Sequence, residues 1–262
     1  MHTRRQFIRT AALGAGSIIV MPYLARAAAH AGNTFDTGNG ELTITPVSHA
    51  SFVMRTPGGT IYVDPVGEAS AYEGQPPADL ILITHEHGDH FSAETLAAVA
   101  GGDVPLITNP AVHGMLADDL KARATAIGNG ESTEALGYAI DAVPAYNITE
   151  ERLNFHPKGR DNGYVVNVGD FRVYVSGDTE AHDEMRALED IDLAFVCMNL
   201  PFTMAAEQAA DGVAAFKPKV VYPYHYRGRD GGTQDPEEFA RLVAEKASDV
   251  EVKMGEWYPG GL

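Results

Sequence analysis

The segment Thr84-His85-Glu86-His87-Gly88-Asp89-His90 constrains this chain more than any other. It follows an apolar run, Leu80-Ile81-Leu82-Ile83, that reads as a buried strand. In an extended continuation of that strand, His85, His87 and Asp89 project to one side. Gly88 permits a tight turn, and His90 follows at the bend. Neutral imidazoles and a carboxylate are the ligands that a zinc-like ion prefers. Four such donors exceed what one catalytic ion takes from a protein, so the cluster points to two ions sharing one site. The chain has 10 histidines, which makes some clustering a matter of chance. Chance does not readily supply His-x-His-x-Asp-His at the end of an apolar strand.

Around that motif the chain alternates strands and helices. Strands are expected at 42–47, 51–56, 60–63, 79–84, 104–108, 136–144, 163–168, 171–176, 191–197, 218–222 and 250–254. Helices are expected at 92–100, 110–126, 182–188, 204–216 and 236–247, with Ser92 as the cap of the first. Gly169-Asp170 joins two strands as a hairpin. No Gly-x-Gly-x-x-Gly follows a strand and no Walker-type loop is present, which excludes the common dinucleotide and nucleotide sites. The pattern is that of an α/β chain with a large sheet system.

His-x-His-x-Asp-His after a buried strand resembles the metallo-β-lactamase superfamily of metal-dependent hydrolases. Thr60-Ile61-Tyr62-Val63-Asp64-Pro65, Tyr174-Val175-Ser176-Gly177-Asp178-Thr179 and Val220-Val221-Tyr222-Pro223-Tyr224-His225 resemble further segments of that family, in its order. Ser48-His49-Ala50-Ser51 is similar to a branch containing L-ascorbate-6-phosphate lactonases and N-acyl phosphatidylethanolamine-hydrolysing phospholipases D. The resemblance implies a four-layer αββα sandwich over residues 41–262, with two divalent ions at one rim. Zinc is expected, with manganese or iron as alternatives. His85 and His87 would hold the first ion; Asp89, His90 and His225 the second; Asp178 would bridge them. Asp89 would thereby be essential to catalysis. Asp64 would steady a ligand through a hydrogen bond, and His49 would stand near the ions as a supporting or acid/base group.

One position departs from the family. Asn147, in Val143-Pro144-Ala145-Tyr146-Asn147, stands where the family supplies a third histidine to the first ion. His156 is the rival for that place, and an exposed loop histidine is its plainer reading. An amide oxygen is a weaker zinc ligand than an imidazole nitrogen. Lys158, Arg160, Arg227 and Arg229 lie near His156 and His225 in sequence and suit a phosphate or carboxylate on a substrate, although loop cations are more often plain surface.

The expected activity is hydrolysis of a small ester, lactone or phosphoester. A metal-binding protein without catalysis and a di-iron redox protein are the alternatives. Arg4-Arg5-Gln6-Phe7-Ile8, the apolar stretch from Ala11 to Val20 and small residues near Ala27 make residues 1–29 a Tat-type export signal, which predicts a periplasmic protein. Residues 30–40 are expected to be a flexible lead-in. About 230 residues then remain, enough for one α/β domain. The formal net charge of −17 argues against nucleic acid and anionic membranes as partners and leaves a small molecule. The single cysteine, Cys197, reads as a core residue and excludes an intramolecular disulfide.

Overall fold

The structure, a computed structural model, describes residues 33–259. The expected export signal at 1–29 lies outside them. Among the described residues the strands form two seven-stranded sheets. The first runs β1 (Thr34–Asp36), β2 (Glu41–Ser48), β3 (Ser51–Thr56), β4 (Gly59–Val63), β5 (Leu80–Ile83), β6 (Leu106–Thr108) and β7 (Ala124–Ala126) in spatial order. The second runs β8 (Ser132–Ala135), β9 (Tyr138–Ala145), β10 (Asp161–Val168), β11 (Phe171–Val175), β12 (Leu193–Cys197), β13 (Val220–Tyr224) and β14 (Glu251–Val252). Each sheet begins antiparallel and turns parallel after its fourth strand, β4 or β11. The two halves of the chain thus repeat one pairing scheme, although the sequence shows no repeat.

The sheets face each other across the main core, where Phe52 of β3 stacks on Phe195 of β12 with ring centroids 4.4 Å apart. β5 explains why its sequence lacks alternation. Leu80 and Leu82 enter this inter-sheet core, while Ile81 and Ile83 enter a second cluster on the outer face. A central parallel strand is covered on both sides and needs apolar residues at every position. The outer cluster is closed by α1 (Ala93–Val99), α2 (Pro110–Met115) and α3 (Asp118–Lys121). On the other side, α4 (Asp183–Arg186), α5 (Ala206–Phe216) and α6 (Pro236–Lys246) cover the second sheet. In α5, Ala206, Ala209, Ala210, Val213 and Phe216 form the buried stripe that helical spacing dictates. The result is the αββα sandwich.

Several expectations are corrected. Residues 34–36 of the expected flexible lead-in pair with β2, with Phe35 opposite Leu42. The single helix expected over 110–126 is two short helices and a strand, because β7 finds partners along β6 that local propensity cannot reveal. β8 was also outside the expected strands; it is a short hairpin arm paired to β9. The Gly169-Asp170 hairpin is present, with Val168 opposite Phe171. Ser92 caps α1, its side chain accepting from the Thr95 amide. Cys197 is fully buried at the end of β12, where burial pushes its thiol up to about 12.

Candidate metal centre

The ends of β4, β5, β11 and β13 deliver Asp64, His85, Asp178 and His225 to one rim of the sandwich. Carboxyl ends of parallel strands are where an α/β sheet leaves side chains without ladder partners. Three of the residues gathered there have left-handed backbone, His49 at φ 57°, Asp64 at 44° and His225 at 49°. Such conformations are disfavoured for residues other than glycine and persist where the surroundings hold them. Here the Thr84 amide and hydroxyl grip the Asp64 carboxylate at 2.7 Å each, and the Ser51 hydroxyl donates to the Asp64 carbonyl at 2.6 Å.

The histidine motif is not extended. The amides of His90 and Phe91 both donate to the His87 carbonyl, at 2.9 and 2.8 Å, and curl the segment into a turn. Gly88 is not in the left-handed region, and a β-carbon there would meet nothing within 4 Å, so the turn does not depend on it. The turn divides the motif. His85 and His87 meet His156, their ring centroids 4.7 to 5.0 Å apart. Asp89 instead faces His225, with Oδ2 3.4 Å from Nε2, and His49, 3.5 Å away. Asp178 lies between. Its Oδ2 is 3.4 Å from His156 Nε2, and its Oδ1 is 3.3 Å from His90 Nε2 and 3.2 Å from His225 Nε2.

Each buried ring is turned by a bond to its other nitrogen. His90 Nδ1 lies 2.7 Å from Asp64 Oδ2 and His156 Nδ1 3.0 Å from Asp161 Oδ2. His85 Nδ1 is 3.0 Å from Thr84 Oγ1, whose own proton goes to Asp64, so His85 donates there. Nε2 of His85, His90 and His156 and Oδ1 of Asp178 are then left buried with no hydrogen-bond partner. An unsatisfied buried polar atom costs about 1–3 kcal/mol, and four at one point are an unusual concentration. A divalent ion taking those lone pairs removes that cost, so the residues present fit the metal that the motif implies. Histidine fixed by a carboxylate on its far nitrogen is the usual support of such ligands.

The charges agree. Burial holds His85 well below the ordinary histidine value, with the neighbouring His90 adding to the effect, and burial likewise lowers His87. His90 goes the other way: burial opposes its charged form, but Asp178 and Asp64 outweigh that and raise it well above. Asp178 similarly raises His225 against burial. Asp178 and Asp89 are held below the carboxylate range despite burial, chiefly by His225 and His90 for the first and by His225 and His49 for the second.

Asn147 does not join the group. Its Nδ2 donates to the carbonyls of Arg152, at 2.9 Å, and Phe202, at 2.7 Å, which fixes the side chain as a tie between two loops. Its backbone amide donates to the His156 carbonyl at 2.9 Å, so the two sequence candidates are neighbours, and it is the histidine that groups with His85 and His87; the Asn147 Oδ1 is buried without a hydrogen-bond partner. Nor is His156 an exposed loop residue; it is fully buried. Lys158 and Arg160 are committed elsewhere. Lys158 pairs with Glu184 at 2.8 Å, and Arg160 with Asp161 at 2.6 Å and Glu86 at 2.9 Å. Sequence reading missed Thr84, Asp161 and Asn199, the last lying 3.3 Å from His225 Nδ1. Asp161 has the one local signal, an acid shortly after His156 at the start of a strand. A cavity of about 710 Å³ opens over the group, lined among others by His49, His87, Asp89, His156, Asp178 and Asn199.

A model of the family described as beta-lactamase superfamily domain matches residues 43–225. A UPF0173 metal-dependent hydrolase of Pyrococcus horikoshii is 32% identical over 220 residues, covering 80% of this chain and 96% of the relative. Among solved structures, a protein from Parabacteroides distasonis described provisionally as a metal-dependent hydrolase superposes with a TM-score of 0.76. It is 38% identical, over 86% of this chain and 98% of that one. The diiron β-hydroxylase CmlA of Streptomyces venezuelae shares the fold alone, with a TM-score of 0.65 at 18% identity over 81% of this chain and 53% of its own.

Proposed function

The chain belongs to the metallo-β-lactamase superfamily of metal-dependent hydrolases, and from that premise we propose that it hydrolyses a small ester, lactone or phosphoester with two divalent ions, zinc above all. The observation that carries this reading is the convergence of unpartnered buried nitrogens and the Asp178 carboxylate beneath an open cavity. His85, His87 and His156 would hold one ion and Asp89, His90 and His225 the other, with one Asp178 oxygen directed to each set. When bound, two such ions bring the ionisation of water to near neutral pH and draw electron density from a carbonyl or phosphoryl group.

The protein's own part is placement. Asp64, Thr84 and Asp161 hold the rings of His90, His85 and His156 so that each presents Nε2. His49 Nε2 stands against Asp89 and its Nδ1 lies 2.9 Å from the Tyr258 hydroxyl, which fixes the imidazole at the cavity wall and steadies the Asp89 carboxylate. With His156 in the place of the missing histidine, the motive for a non-catalytic reading falls away. Metal analysis with a panel of chromogenic esters, lactones and phosphodiesters tests the proposal. About two ions per chain with turnover is expected, and Asp89→Ala should lose one ion and the activity. Full metal content with unchanged turnover in that variant would overturn the assignment; iron with redox activity and no hydrolysis would favour the di-iron alternative. We also place the protein in the periplasm, on the twin-arginine segment alone.

A further inference from the structure

The cavity wall away from the histidines has a chemistry of its own. Phe155 and Phe202 line it and meet edge to face, with centroids 5.1 Å apart and planes at 81°. Asn147 ties their two loops through its bonds to Arg152 and Phe202. Arg227 and Arg229 line the same cavity. The Arg229 guanidinium lies over the Phe202 ring, 5.3 Å from its centroid, and Arg227 over Tyr258 at 4.4 Å. Unlike Lys158 and Arg160, Arg229 has no ion-pair partner among the described residues.

The backbone carrying these arginines is held firmly. The Arg229 amide donates to the Leu200 carbonyl at 3.1 Å, the Leu200 amide to Gly232 at 3.2 Å, and the Gly232 amide to Arg229 at 2.7 Å. A β-carbon at Gly228 or Gly232 would lie 2.1 or 1.9 Å from the Leu200 oxygen, so this close approach requires glycine. The loop therefore sets Arg229 against the aromatic pair in advance of any ligand.

A guanidinium laid on an aromatic face keeps its fork edge for a carboxylate or phosphate. The phenyl pair takes a flat or acyl body. The histidines and Asp178 lie on the same cavity. We propose that the substrate of this site is an anionic aryl or acyl compound. Its carboxylate or phosphate binds Arg229, its apolar body lies on Phe155 and Phe202, and its scissile bond points toward Asp178. This rests on the hydrolytic reading above and narrows its substrate class. The overall negative charge of the chain does not oppose it, because an arginine at the ligand outweighs distant, screened surface carboxylates.

Binding can be read without turnover. Benzoate, phenyl phosphate and neutral benzyl alcohol would be titrated calorimetrically into the full chain freed of metal, so that no ion captures the anion. The anionic probes should bind about tenfold or more tightly than the alcohol. Arg229→Ala should remove that preference, Arg229→Lys should restore part of it, and Arg241→Ala, on the far helix surface, should change nothing. Phe202→Ala should weaken all three probes alike. The tighter of the two anions identifies the charged group. Equal binding of anionic and neutral probes, or an unchanged preference in Arg229→Ala, would overturn the proposal. In the metal-loaded enzyme, Arg229→Ala should raise KM for a carboxylate-bearing aryl ester about tenfold more than for its neutral counterpart, with kcat little changed, and Arg241→Ala should affect neither. Selective binding with no hydrolysis of either ester would uphold the pocket and count against the hydrolase. Hydrolysis of both esters, indifferent to Arg229→Ala, would do the reverse.

Discussion

Asn147 and His156 flank one loop, yet they divide its work cleanly. The amide bridges the carbonyls of Arg152 and Phe202, and the imidazole enters the histidine group with Asp161 behind it. His156→Ala should therefore lower metal affinity by about ten- to a hundredfold or more, and Asp161→Ala, which frees the ring to rotate, should approach the same range. Asn147→Ala should leave metal affinity unchanged, because the side chain is committed through its nitrogen to the carbonyls of Arg152 and Phe202. Chelator competition with each variant reads the three affinities directly. Loss of metal in Asn147→Ala with retention in His156→Ala would invert the assignment. The segment around residue 147 identified where a ligand was wanting but not which side chain filled the place. That choice depends on how the loop folds back on β10, a contact between chain segments with no local pattern.

Elements were legible in proportion to how local their causes are. β5 announces itself, since an uninterrupted apolar run bounded by polar residues has few other uses. Its two-sided burial predicts that Ile81→Ala and Leu82→Ala will each destabilise the protein by about 2–5 kcal/mol, although the two side chains point into different clusters. Chemical denaturation gives both values, and a cost below about 1 kcal/mol for Ile81→Ala would mean that the outer helices do not form a core. The segment 110–126 misled because Ala, Leu, Lys and Asp are permissible in a helix. What breaks it is the pairing of Ala124 with Leu106, across a parallel ladder whose existence follows only from the folded sheet. β1 is the same case: Thr34 and Phe35 become a strand because β2 offers an edge. The ligands at strand ends were readable for the opposite reason. Asp64 and His225 follow an apolar run directly, and His85 and Asp178 follow one within three residues, so their place at the rim is a consequence of sequence order.

The whole molecule joins two similarly paired sheets at a site that neither completes alone, so metal binding and folding should be coupled. If the twin-arginine segment directs export of the folded chain, changing Arg4 and Arg5 together to Lys should retain the precursor in the cytoplasm, and fractionation should find it there; normal export would remove the periplasmic placement. Metal should stabilise the fold by mass action, about 2.7 kcal/mol at a hundred times the dissociation constant. The pH dependence of that gain has a definite sign. In the metal-free protein His90 and His225 are raised, so their contribution is fully present below the unfolded value near 6.5 and is lost as pH rises through their folded values. His85 and His87 are lowered, so they cost stability as pH falls below about 6.5 and nothing above it. Asp178 and Asp89 are depressed, and their contribution is constant from neutral pH upward. The melting temperature of the chelated protein should then fall between pH 7 and 9. Metal binding requires neutral imidazoles and displaces the protons of His90 and His225, so the increment from added zinc should grow across the same interval. Thermal melts with chelator and with zinc at each pH measure both trends. A chelated protein whose melting temperature is flat over that range, or a zinc increment that shrinks with rising pH, would mean that His90 and His225 are not the protonated pair around Asp178.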